Sequence, residues 1–411
     1  MKIAVIGTGI AGSVVSYLLA ADHDLTVFEQ NDHLGGHANT VRVDAADGVH
    51  DVDTGFIVFN EEHYPSFVRL LEKLGVESQL SSMSFSVHSE VDGLEYSNQS
   101  LLAQRRNALR PAFWRMVADI VRFNRSSREL LLAADDGVLL GPFLEENRYS
   151  RAFIEHFLYP MGAAIWSADP LKMREFPARF FAQFFTNHRF LDVFGQPRWR
   201  VVRGGSRRYV EKLTASFRER IRISTPVTSV RRDADHVLVT PRGGAAERFD
   251  QVVVASHGDE ALAMLADATP EERDILGSFR FQENVAVLHT DTRLMPRRRR
   301  AWACWNAHMP RRPTGRVSLT YDMSLLQGLR SREEYLVTLN RTEDIAPERV
   351  VRTIRYHHPV FSRAAVAAQK RHAEISGRDR THFCGAYWGF GFHEDGVQSG
   401  LAVARHFGKR L

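Results

Sequence analysis

The sequence predicts an α/β protein in which a discontinuous Rossmann-like domain carries an inserted α+β domain. Three observations lead to this prediction. A strand, a glycine turn, a helix and a second strand follow one another within residues 2–29. Apolar residues recur at helical spacing over residues 110–133, and strand-like segments follow at 284–291, 316–323 and 333–340. A chain of 411 residues is long enough for two domains.

The composition is that of an ordinary globular protein, with 44% hydrophobic and 25% charged residues. The sequence has no apolar run long enough to cross a bilayer, and residues 2–6 are typical of a core strand rather than of a signal peptide. We therefore expect a cytoplasmic protein. The two cysteines, Cys304 and Cys384, lie far apart without metal-ligand spacing, so we expect neither a disulfide framework nor a metal site.

The net charge of +5 comes mostly from arginine. This bias is typical of a GC-rich genome, and no nucleic-acid-binding motif accompanies it, so nucleic acid is not an expected partner. A local run, MPRRRRAW at Met295–Trp302, instead suggests that Arg297–Arg300 contact an anionic membrane surface.

The N-terminal glycine turn predicts a dinucleotide-binding site. Gly7, Gly9 and Gly12 have the spacing GxGxxG between the first strand and the first helix. Gly7 permits the tight turn, Gly9 lets the backbone approach a pyrophosphate, and Gly12 lets the helix pack close to the strand. The helix N-terminus offers free N–H groups to the phosphates. Glu29, at the end of the second strand, is placed to accept hydrogen bonds from ribose hydroxyls.

A second glycine pair indicates which dinucleotide is bound. Gly35 and Gly36, in HLGGHANT at residues 33–40, follow the second strand rather than the first. The segment resembles the extended motif of the flavin-containing amine oxidase superfamily, which includes phytoene desaturase-like and protoporphyrinogen oxidase-like enzymes. In that superfamily the loop runs past the FAD pyrophosphate and ribityl chain. Arg usually stands there where this chain has His37, which leaves the role of position 37 open.

Other segments match the superfamily in the same order. Residues 51–76 look like its Asp-x-Gly segment and the helix after it, and residues 201–213 look like its glycine pair ahead of a helix. Val227 matches the position whose backbone holds the adenine, and residues 249–265 look like the strand that returns to the nucleotide domain. The resemblance covers nearly the whole chain. It is closest to the bacterial predicted NAD/FAD-binding proteins that accompany lipid-modifying enzymes.

The resemblance implies non-covalently bound FAD and a division of the chain into two domains. The FAD-binding domain would comprise residues 1–75, 198–265 and 365–411, and the substrate domain residues 76–197 and 266–364. The predicted cofactor contacts are Gly7, Gly9, Ile10, Ala11, Gly12, Glu29, Gln30, Gly35, Gly36, His37, Thr54, Gly55, Phe56, Val227, Gly385, Glu394, Asp395, Gly396 and Val397.

The C-terminal segment 383–407 combines glycines, aromatic residues and acids. We interpret residues 382–389 as the last strand of the nucleotide domain, residues 392–396 as a turn capped by Asp395, and residues 397–407 as the last helix. Its N-terminus would face flavin N1 and O2, with Val397 at the ring edge. The aromatic residues would stand where flavin and substrate meet: Tyr387, Trp388, Phe390 and Phe392.

Histidines in the two segments expected near the flavin are the candidate acid–base groups. His393 and His37 are the first choices, because an imidazole titrates in the useful pH range, although each is more often a structural hydrogen-bonding residue. Tyr387 is a candidate for packing beside the ring or the substrate. Glu62 and His63 are weaker candidates.

We expect an FAD-dependent oxidoreductase that desaturates, dehydrogenates or isomerises an apolar molecule by hydride transfer to flavin N5, with a fatty acyl chain first and an isoprenoid second. True amine oxidases generally carry a lysine in a substrate-domain strand, and the corresponding segment, residues 279–294, has none. A soluble amine oxidase and a non-catalytic FAD protein that binds lipid or assists assembly remain the alternatives. The phenylalanines between 165 and 194 would form either helix core or a channel for a long apolar substrate: Phe176, Phe180, Phe181, Phe184, Phe185, Phe190 and Phe194.

Overall fold

The structure is a computed structural model that describes residues 1–132, 137–188 and 197–411. Over these residues the strands are β1 (Lys2–Ile6), β2 (Asp24–Phe28), β3 (Thr40–Ala45), β4 (Gly48–Asp53), β5 (Val58–Asn60), β6 (Ser78–Leu80), β7 (Phe85–Ser89), β8 (Glu95–Ser97), β9 (Trp199–Val202), β10 (Ile221–Arg222), β11 (Val227–Arg232), β12 (Val237–Pro241), β13 (Glu247–Phe249), β14 (Gln251–Val254), β15 (Arg280–His289), β16 (Trp305–Met309), β17 (Leu319–Asp322), β18 (Leu336–Leu339), β19 (Val350–Val360) and β20 (Thr381–Phe383).

The α-helices of the same residues are α1 (Ile10–Leu19), α2 (Pro65–Leu74), α3 (Pro111–Leu132), α4 (Leu140–Glu146), α5 (Arg151–Phe153), α6 (Tyr159–Trp166), α7 (Ala178–Asn187), α8 (Arg207–Thr214), α9 (Gly258–Met264), α10 (Pro270–Gly277), α11 (Met323–Gln327), α12 (Arg363–Gln369), α13 (His372–Ile375) and α14 (His393–His406). Within these described residues, every helix is too short or too polar to cross a membrane.

A parallel five-stranded sheet in the order β10-β2-β1-β14-β20 confirms the predicted fold class. β1 is central because its residues Ile3, Ala4 and Val5 are fully buried, as expected for a parallel strand covered on both faces. All five strands lie in the three ranges predicted for the FAD-binding domain. The division into two domains itself stays a prediction.

The second large sheet has seven strands in the order β19-β15-β18-β17-β16-β7-β8. β15 and β19 form its longest pair, in antiparallel register from Arg280 opposite Val360 to His289 opposite Val350. The sequence predicted strands at the places of β15, β17 and β18, but not β7, β8, β16 or β19. Helices α3 to α7 pack with this sheet around one apolar core that includes Phe123, Phe153 and Phe181.

Two boundaries near the C-terminus differ from the prediction. β20 ends at Phe383, and residues 386–388 form a 3₁₀ turn instead of continuing the strand to residue 389. The last helix begins at His393 rather than at Val397. The earlier start has a clear cause, because the Asp395 carboxylate accepts a hydrogen bond from the Phe392 N–H at 2.9 Å. Asp395 therefore caps the helix from inside its first turn.

Candidate cofactor and active site

The glycines of the N-terminal turn have two different roles. Gly7 has φ +103°, and a Cβ there would lie 2.9 Å from the Ala255 carbonyl oxygen. A Cβ on Gly12 would overlap the Gly7 carbonyl oxygen and lie 2.9 Å from Ala255 Cβ. Gly7 and Gly12 are therefore required for packing. A Cβ on Gly9 would meet no heavy atom within 4 Å, so Gly9 keeps the surface in front of the helix open.

The N-terminus of α1 fits a phosphate group. The first helical hydrogen bond runs from the Ser13 N–H to the Gly9 carbonyl, so the N–H groups of residues 10–12 have no acceptor within the helix. The first turn carries no acidic residue and no side-chain cap. Unpaired N–H groups beside an open glycine are the donor set that a pyrophosphate requires. The predicted contacts Gly9, Ile10 and Ala11 lie at this site.

Glu29 follows β2 as predicted and is buried. Its Oε2 accepts hydrogen bonds from the Thr8 N–H at 2.9 Å and from the Thr8 hydroxyl at 2.5 Å. Its Oε1 accepts from the Asn31 N–H and side-chain amide, each at 2.8 Å. Ribose hydroxyls would have to replace one of the two rotatable donors, the Thr8 hydroxyl or the Asn31 amide. Ribose binding by Glu29 stays a prediction.

The second glycine loop lies directly on the first. Gly36 has φ +58°, and a Cβ there would lie 3.3 Å from Gly9 Cα. Gly35 has φ +102°, and a Cβ there would lie 2.7 Å from the Ala38 carbonyl oxygen. The two glycine loops that the sequence predicted for one cofactor are therefore adjacent at Gly9 and Gly36.

The segment at residues 54–56 joins this loop to β19. The Phe56 N–H donates to the His37 carbonyl at 2.7 Å, and a Cβ on Gly55 would overlap that carbonyl oxygen. The Thr54 hydroxyl donates to the Asn39 carbonyl at 2.9 Å and lies 2.8 Å from the Tyr356 hydroxyl. The His37 ring stacks on Tyr356 with 4.8 Å between ring centroids. Residues 37 and 54–56 thus form one unit with the seven-stranded sheet.

Four imidazoles meet beside this unit, and we call His37, His257, His357 and His358 the histidine cluster. Ring centroids are 5.2 Å apart for His37 and His358, 6.5 Å for His37 and His257, and 6.2 Å for His257 and His357. Burial lowers the pKa of His358 to about 4, and burial followed by the neighbouring imidazoles holds the pKa of His37 well below its usual value. These two rings are therefore neutral at pH 7.

Hydrogen bonds fix the tautomer of His358. The Asn340 side-chain amide donates to Asn284 Oδ1 at 2.8 Å, so the Asn284 amide nitrogen is the atom that lies 3.0 Å from His358 Nδ1. Asn340 is oriented in turn, because its Oδ1 accepts from the Val285 N–H at 3.0 Å. With Nδ1 accepting, the proton of neutral His358 is on Nε2.

His393 lies in an aromatic environment. Its ring stacks on Phe56 with centroids 3.5 Å apart and meets the edge of Phe67 at 5.3 Å. The Tyr209 hydroxyl lies 2.6 Å from His393 Nε2. Burial lowers the pKa of His393 to about 3, so the ring is neutral at pH 7 and has no imidazolium proton to donate. Its role in proton transfer stays a prediction, and its contacts are those of a structural hydrogen-bonding residue.

The C-terminal aromatic residues separate into two groups instead of standing together. Tyr387 is buried against Phe279 at 4.8 Å and Trp388 at 5.2 Å, and burial raises the pKa of its hydroxyl. Phe390 and Phe392 instead pack on α7, against Phe180 at 4.6 Å and Phe184 at 4.8 Å. The predicted role of Tyr387 beside the flavin stays a prediction; its ring packs in the apolar core on one side of the five-stranded sheet, with Phe279 and Phe383.

The first turn of α14 is occupied by packing. The Glu394 carboxylate accepts from the Ser66 N–H at 3.1 Å and the Phe67 N–H at 2.9 Å, so it caps α2. A Cβ on Gly396 would lie 2.6 Å from Ile10 Cγ2, and Val397 is fully buried. Contact of Val397 with a ring edge stays a prediction and would require this packing to open.

The phenylalanines in α7 and just before it are mostly core. Phe176, Phe181, Phe184 and Phe185 are buried, whereas Phe180 is partly exposed. Phe180 lies 4.6 Å from Phe390 and 4.9 Å from Phe361, and Phe184 stacks on Phe392 at 4.8 Å. Phe390 and Phe392 are also partly exposed. We call Phe180, Phe361, Phe390 and Phe392 the aromatic wall; Phe190 and Phe194 lie outside the described residues.

The other predicted residues lie at the edges of this region. Gln30 is exposed, and its amide lies 3.5 Å from Glu260. Val227 opens β11, and Gly385 follows β20 and donates its N–H to the Ser399 hydroxyl at 3.0 Å. The His63 ring stacks on His188 with centroids 4.7 Å apart, and Glu62 lies beside it in the chain.

Sequence reasoning missed most of the histidine cluster. His257 follows β14, and His357 and His358 lie on β19, opposite Glu283 and Gln282 of β15. The segment YHHP at residues 356–359 was the available signal, because adjacent histidines in a strand-like segment are unusual in a plain core strand.

Comparisons with known proteins show the family and agree with the fold. The sequence model of the flavin-containing amine oxidoreductase family matches residues 14–337. Cyclohexylamine oxidase from Brevibacterium oxydans IH-35A is similar in structure, with TM-score 0.72, 16% identity and 99% of each chain covered. Putrescine oxidase gives TM-score 0.70, 13% identity and 99% coverage of each chain. A fatty acid isomerase from P. acnes that produces CLA gives 0.69, 17% and 98% of each chain. No curated protein matches the sequence.

Proposed function

The chain belongs to the flavin-containing amine oxidoreductase family, and from this premise we propose that it acts on an apolar, lipid-like substrate. It is an FAD-dependent oxidoreductase. The proposed reaction is desaturation, dehydrogenation or double-bond isomerisation, with a fatty acyl chain as the first candidate. Bound FAD supplies the capacity to accept a hydride from carbon.

The observation that carries the proposal is the aromatic wall. Phe180, Phe390 and Phe392 keep part of their surface exposed. The Phe180 ring packs against Phe390 and Phe361, and the buried ring of Phe184 lies between Phe390 and Phe392. Adjacent apolar side chains that keep part of their surface open are a usual lining for an apolar ligand. The Trp166 indole N–H donates to the Phe390 carbonyl at 3.1 Å, which holds the wall against α6.

The wall adjoins the histidine cluster through one hydrogen-bonded connection. The Asn284 amide donates to the carbonyl of Ser167, the residue after Trp166, at 3.1 Å and also to His358 Nδ1. Asn284 therefore connects His358 to α6, which holds the wall, and we propose that the Nε2–H of His358 faces the substrate. A neutral imidazole donates a hydrogen bond to a polar head group of the substrate. Alternatively it transfers this proton to the substrate, and another group then reprotonates the imidazole.

The lysine that is typical of true amine oxidases is missing from the corresponding strand of this chain. True amine oxidases of the superfamily generally carry a lysine in the strand that corresponds to β15. The side chains of β15 that contact the histidine cluster are Phe281, Glu283 and Asn284. Phe281 stacks on His257 with ring centroids 4.2 Å apart. None of the six lysines of the sequence is in β15, the aromatic wall or the histidine cluster.

The test follows the visible absorbance of the purified, FAD-loaded protein under anaerobic conditions. Fatty acids, phospholipids, isoprenoids and amines are added separately, and the products are analysed by mass spectrometry, since a redox-neutral isomerisation leaves the flavin oxidised at the end of each cycle. We expect bleaching or a changed double bond with an apolar substrate. Turnover of amines alone would refute the proposal, and no reaction with any class would favour the non-catalytic alternative.

A matched pair of variants connects the result to the wall. Phe180→Ser is expected to raise the KM for the apolar substrate by about tenfold, because it removes a partly exposed lining ring. Leu171→Ser changes an exposed apolar residue of the same domain outside the wall and is expected to leave KM unchanged.

A further inference from the structure

The exposed apolar side chains of this protein are concentrated in one part of the chain. Of the thirteen large hydrophobic residues that are exposed within the described ranges, six lie between residues 91 and 132. Leu109 is 86% exposed, Val91 68%, Val121 60% and Trp114 46%. Single exposed apolar residues are normal, but this concentration in about a tenth of the chain is not.

Hydrogen bonds place these residues on one surface. The Arg106 guanidinium donates to the Gly93 carbonyl at 2.5 Å and Arg110 donates to the Asp92 carbonyl at 3.2 Å, which fixes the β7–β8 turn, with Val91, beside residues 105–110. The Trp114 indole N–H donates to the Ala108 carbonyl at 3.0 Å, which holds Trp114 beside Leu109. The turn, the segment before α3 and the start of α3 therefore share one face.

The arginine run of residues 297–300 joins the same face. The Arg297 N–H donates to Glu95 Oε1 at 3.1 Å, and the Arg298 guanidinium lies 3.3 Å from Glu95 Oε2. The Arg311 N–H donates to Glu90 Oε2 at 3.4 Å. A cavity of about 510 Å³ lies between the turn and these arginines. We call residues 89–132 with residues 295–312 the basic face.

The charge of the basic face is opposite to that of the remaining chain. It carries 13 arginines and five acidic residues, a net charge of +8, whereas the whole chain has +5. Glu95 and Asp119 are buried, so two of the five acids do not reach the surface. The field at this face is therefore positive, and the rest of the protein is net acidic.

The outer side of α3 has the composition of a helix that lies in a membrane interface. Phe113, Met116 and Phe123 face the core, while Trp114 and Val121 are exposed together with arginines. A solvent-facing side would be expected to be polar throughout. Indole and aliphatic side chains interspersed with arginine instead match the boundary between headgroups and acyl chains.

We propose that the basic face docks the protein on an anionic lipid bilayer, with Leu109, Trp114 and Val91 entering the interface and the arginines contacting phosphates. The predicted membrane contact of Arg297–Arg300 is one part of this face. The positive charge of the face and the exposed side chains of Val91, Leu109 and Trp114 together favour a lipid surface over a soluble anion, because a soluble anion would need no apolar contact. The proposal does not depend on the identity of the substrate.

The test is co-sedimentation of the full-length, FAD-loaded protein with vesicles of phosphatidylglycerol and phosphatidylcholine, compared with vesicles of phosphatidylcholine alone. We expect binding to the anionic vesicles only, and less binding as salt is raised. Leu109→Ser with Trp114→Ser is expected to lower partitioning at least tenfold. Arg297→Gln with Arg300→Gln is expected to lower it by about fivefold per arginine and to weaken its salt dependence.

Two matched controls lie outside the basic face. Ile223→Ser with Leu325→Ser removes similarly exposed apolar residues, and Arg218→Gln with Arg378→Gln removes two exposed arginines. Both should bind like the unsubstituted protein, and retained FAD absorbance shows that each variant is folded. Equal losses in control and basic-face variants, or no binding of the unsubstituted protein to anionic vesicles, would overturn the proposal. If the unsubstituted protein is a dimer that does not bind vesicles, and Leu109→Ser dissociates this dimer, the basic face is instead the contact with a second copy of the chain.

Discussion

Gly9→Ala separates cofactor binding from folding. Gly9 has φ −57° and ψ 173°, which alanine adopts without strain, and its added Cβ would meet no protein atom within 4 Å. The free energy of unfolding of the apoprotein is therefore expected to change by less than about 0.5 kcal/mol. The same methyl group stands where the pyrophosphate must approach the N-terminus of α1.

The expected loss of FAD affinity follows from the hydrogen bonds that the methyl group prevents. A phosphate oxygen accepts from a backbone N–H at about 2.9 Å, and a Cβ in front of the turn holds it beyond that distance. Loss of one such charge-assisted bond costs about 1.5–3 kcal/mol, which corresponds to a 10- to 150-fold weaker Kd. Titration of apoprotein with FAD, followed by flavin fluorescence, measures this Kd.

Gly12→Ala is the matched comparison, because its Cβ would overlap the Gly7 carbonyl oxygen and lie 2.9 Å from Ala255 Cβ. It should destabilise the apoprotein itself by about 1–3 kcal/mol. Unchanged FAD affinity in Gly9→Ala would refute the placement of the pyrophosphate. Equal destabilisation of the two apoproteins would refute the distinction between the open and the packed glycine.

Three further predictions concern stability. The pKa of His393 is lowered to about 3 from 6.5, so its burial favours folding above pH 6.5, and this contribution is lost as the pH falls toward 3, by about 2 kcal/mol at pH 5. In His393→Phe, urea unfolding should therefore show a smaller loss of stability between pH 7 and 5. An unchanged loss of stability would contradict the buried neutral ring. Glu394→Ala removes the cap of α2 and should lower the free energy of unfolding, measured in urea, by about 1 kcal/mol. Glu394→Gln should have a stability between those of the unsubstituted protein and Glu394→Ala. Glu272→Gln weakens a bidentate pair with Arg232, both about 5% exposed, while Asp267 still lies 2.8 Å from the Arg232 guanidinium. The change should therefore cost about 1.5–3 kcal/mol in urea unfolding, and Arg232→Met with Glu272→Leu should recover part of it.

The geometry of the N-terminal glycine turn could be predicted because its information is local. The strand, the glycine turn, α1 and Glu29 are consecutive, and each glycine has the close contact or the open space that the motif requires. The predicted start of α14 was four residues too late. Asp395 resembles an N-cap residue in the sequence, but in the structure it lies inside the first turn and accepts from the Phe392 N–H.

The histidine cluster could not be predicted because its members meet through strand pairing. His257 and His358 are separated by about a hundred residues, and the register that sets His358 opposite Gln282 is fixed only when β15 and β19 pair over ten residues. β19 itself alternates weakly, since most of its residues are exposed or partly exposed, so the sequence gives no clear period-two pattern there.

The carboxylates around the site bear on the choice between an apolar and an ammonium substrate. A bound ammonium requires an acceptor that is not already occupied. Glu394 caps α2, Asp395 accepts from the Phe392 N–H, and Asp53 accepts from the hydroxyls of Thr40 and Ser206 at 2.6 and 2.8 Å. Beside the histidine cluster, Glu260 accepts from the His257 N–H at 3.2 Å and Glu283 lies 3.3 Å from the Arg355 guanidinium. These five carboxylates are therefore already engaged by protein donors, and the rings of His37 and His358 are neutral at pH 7. Protonating His37 or His358 would add positive charge and repel an ammonium further, so lowering the pH should weaken the binding of an amine more than that of an apolar molecule.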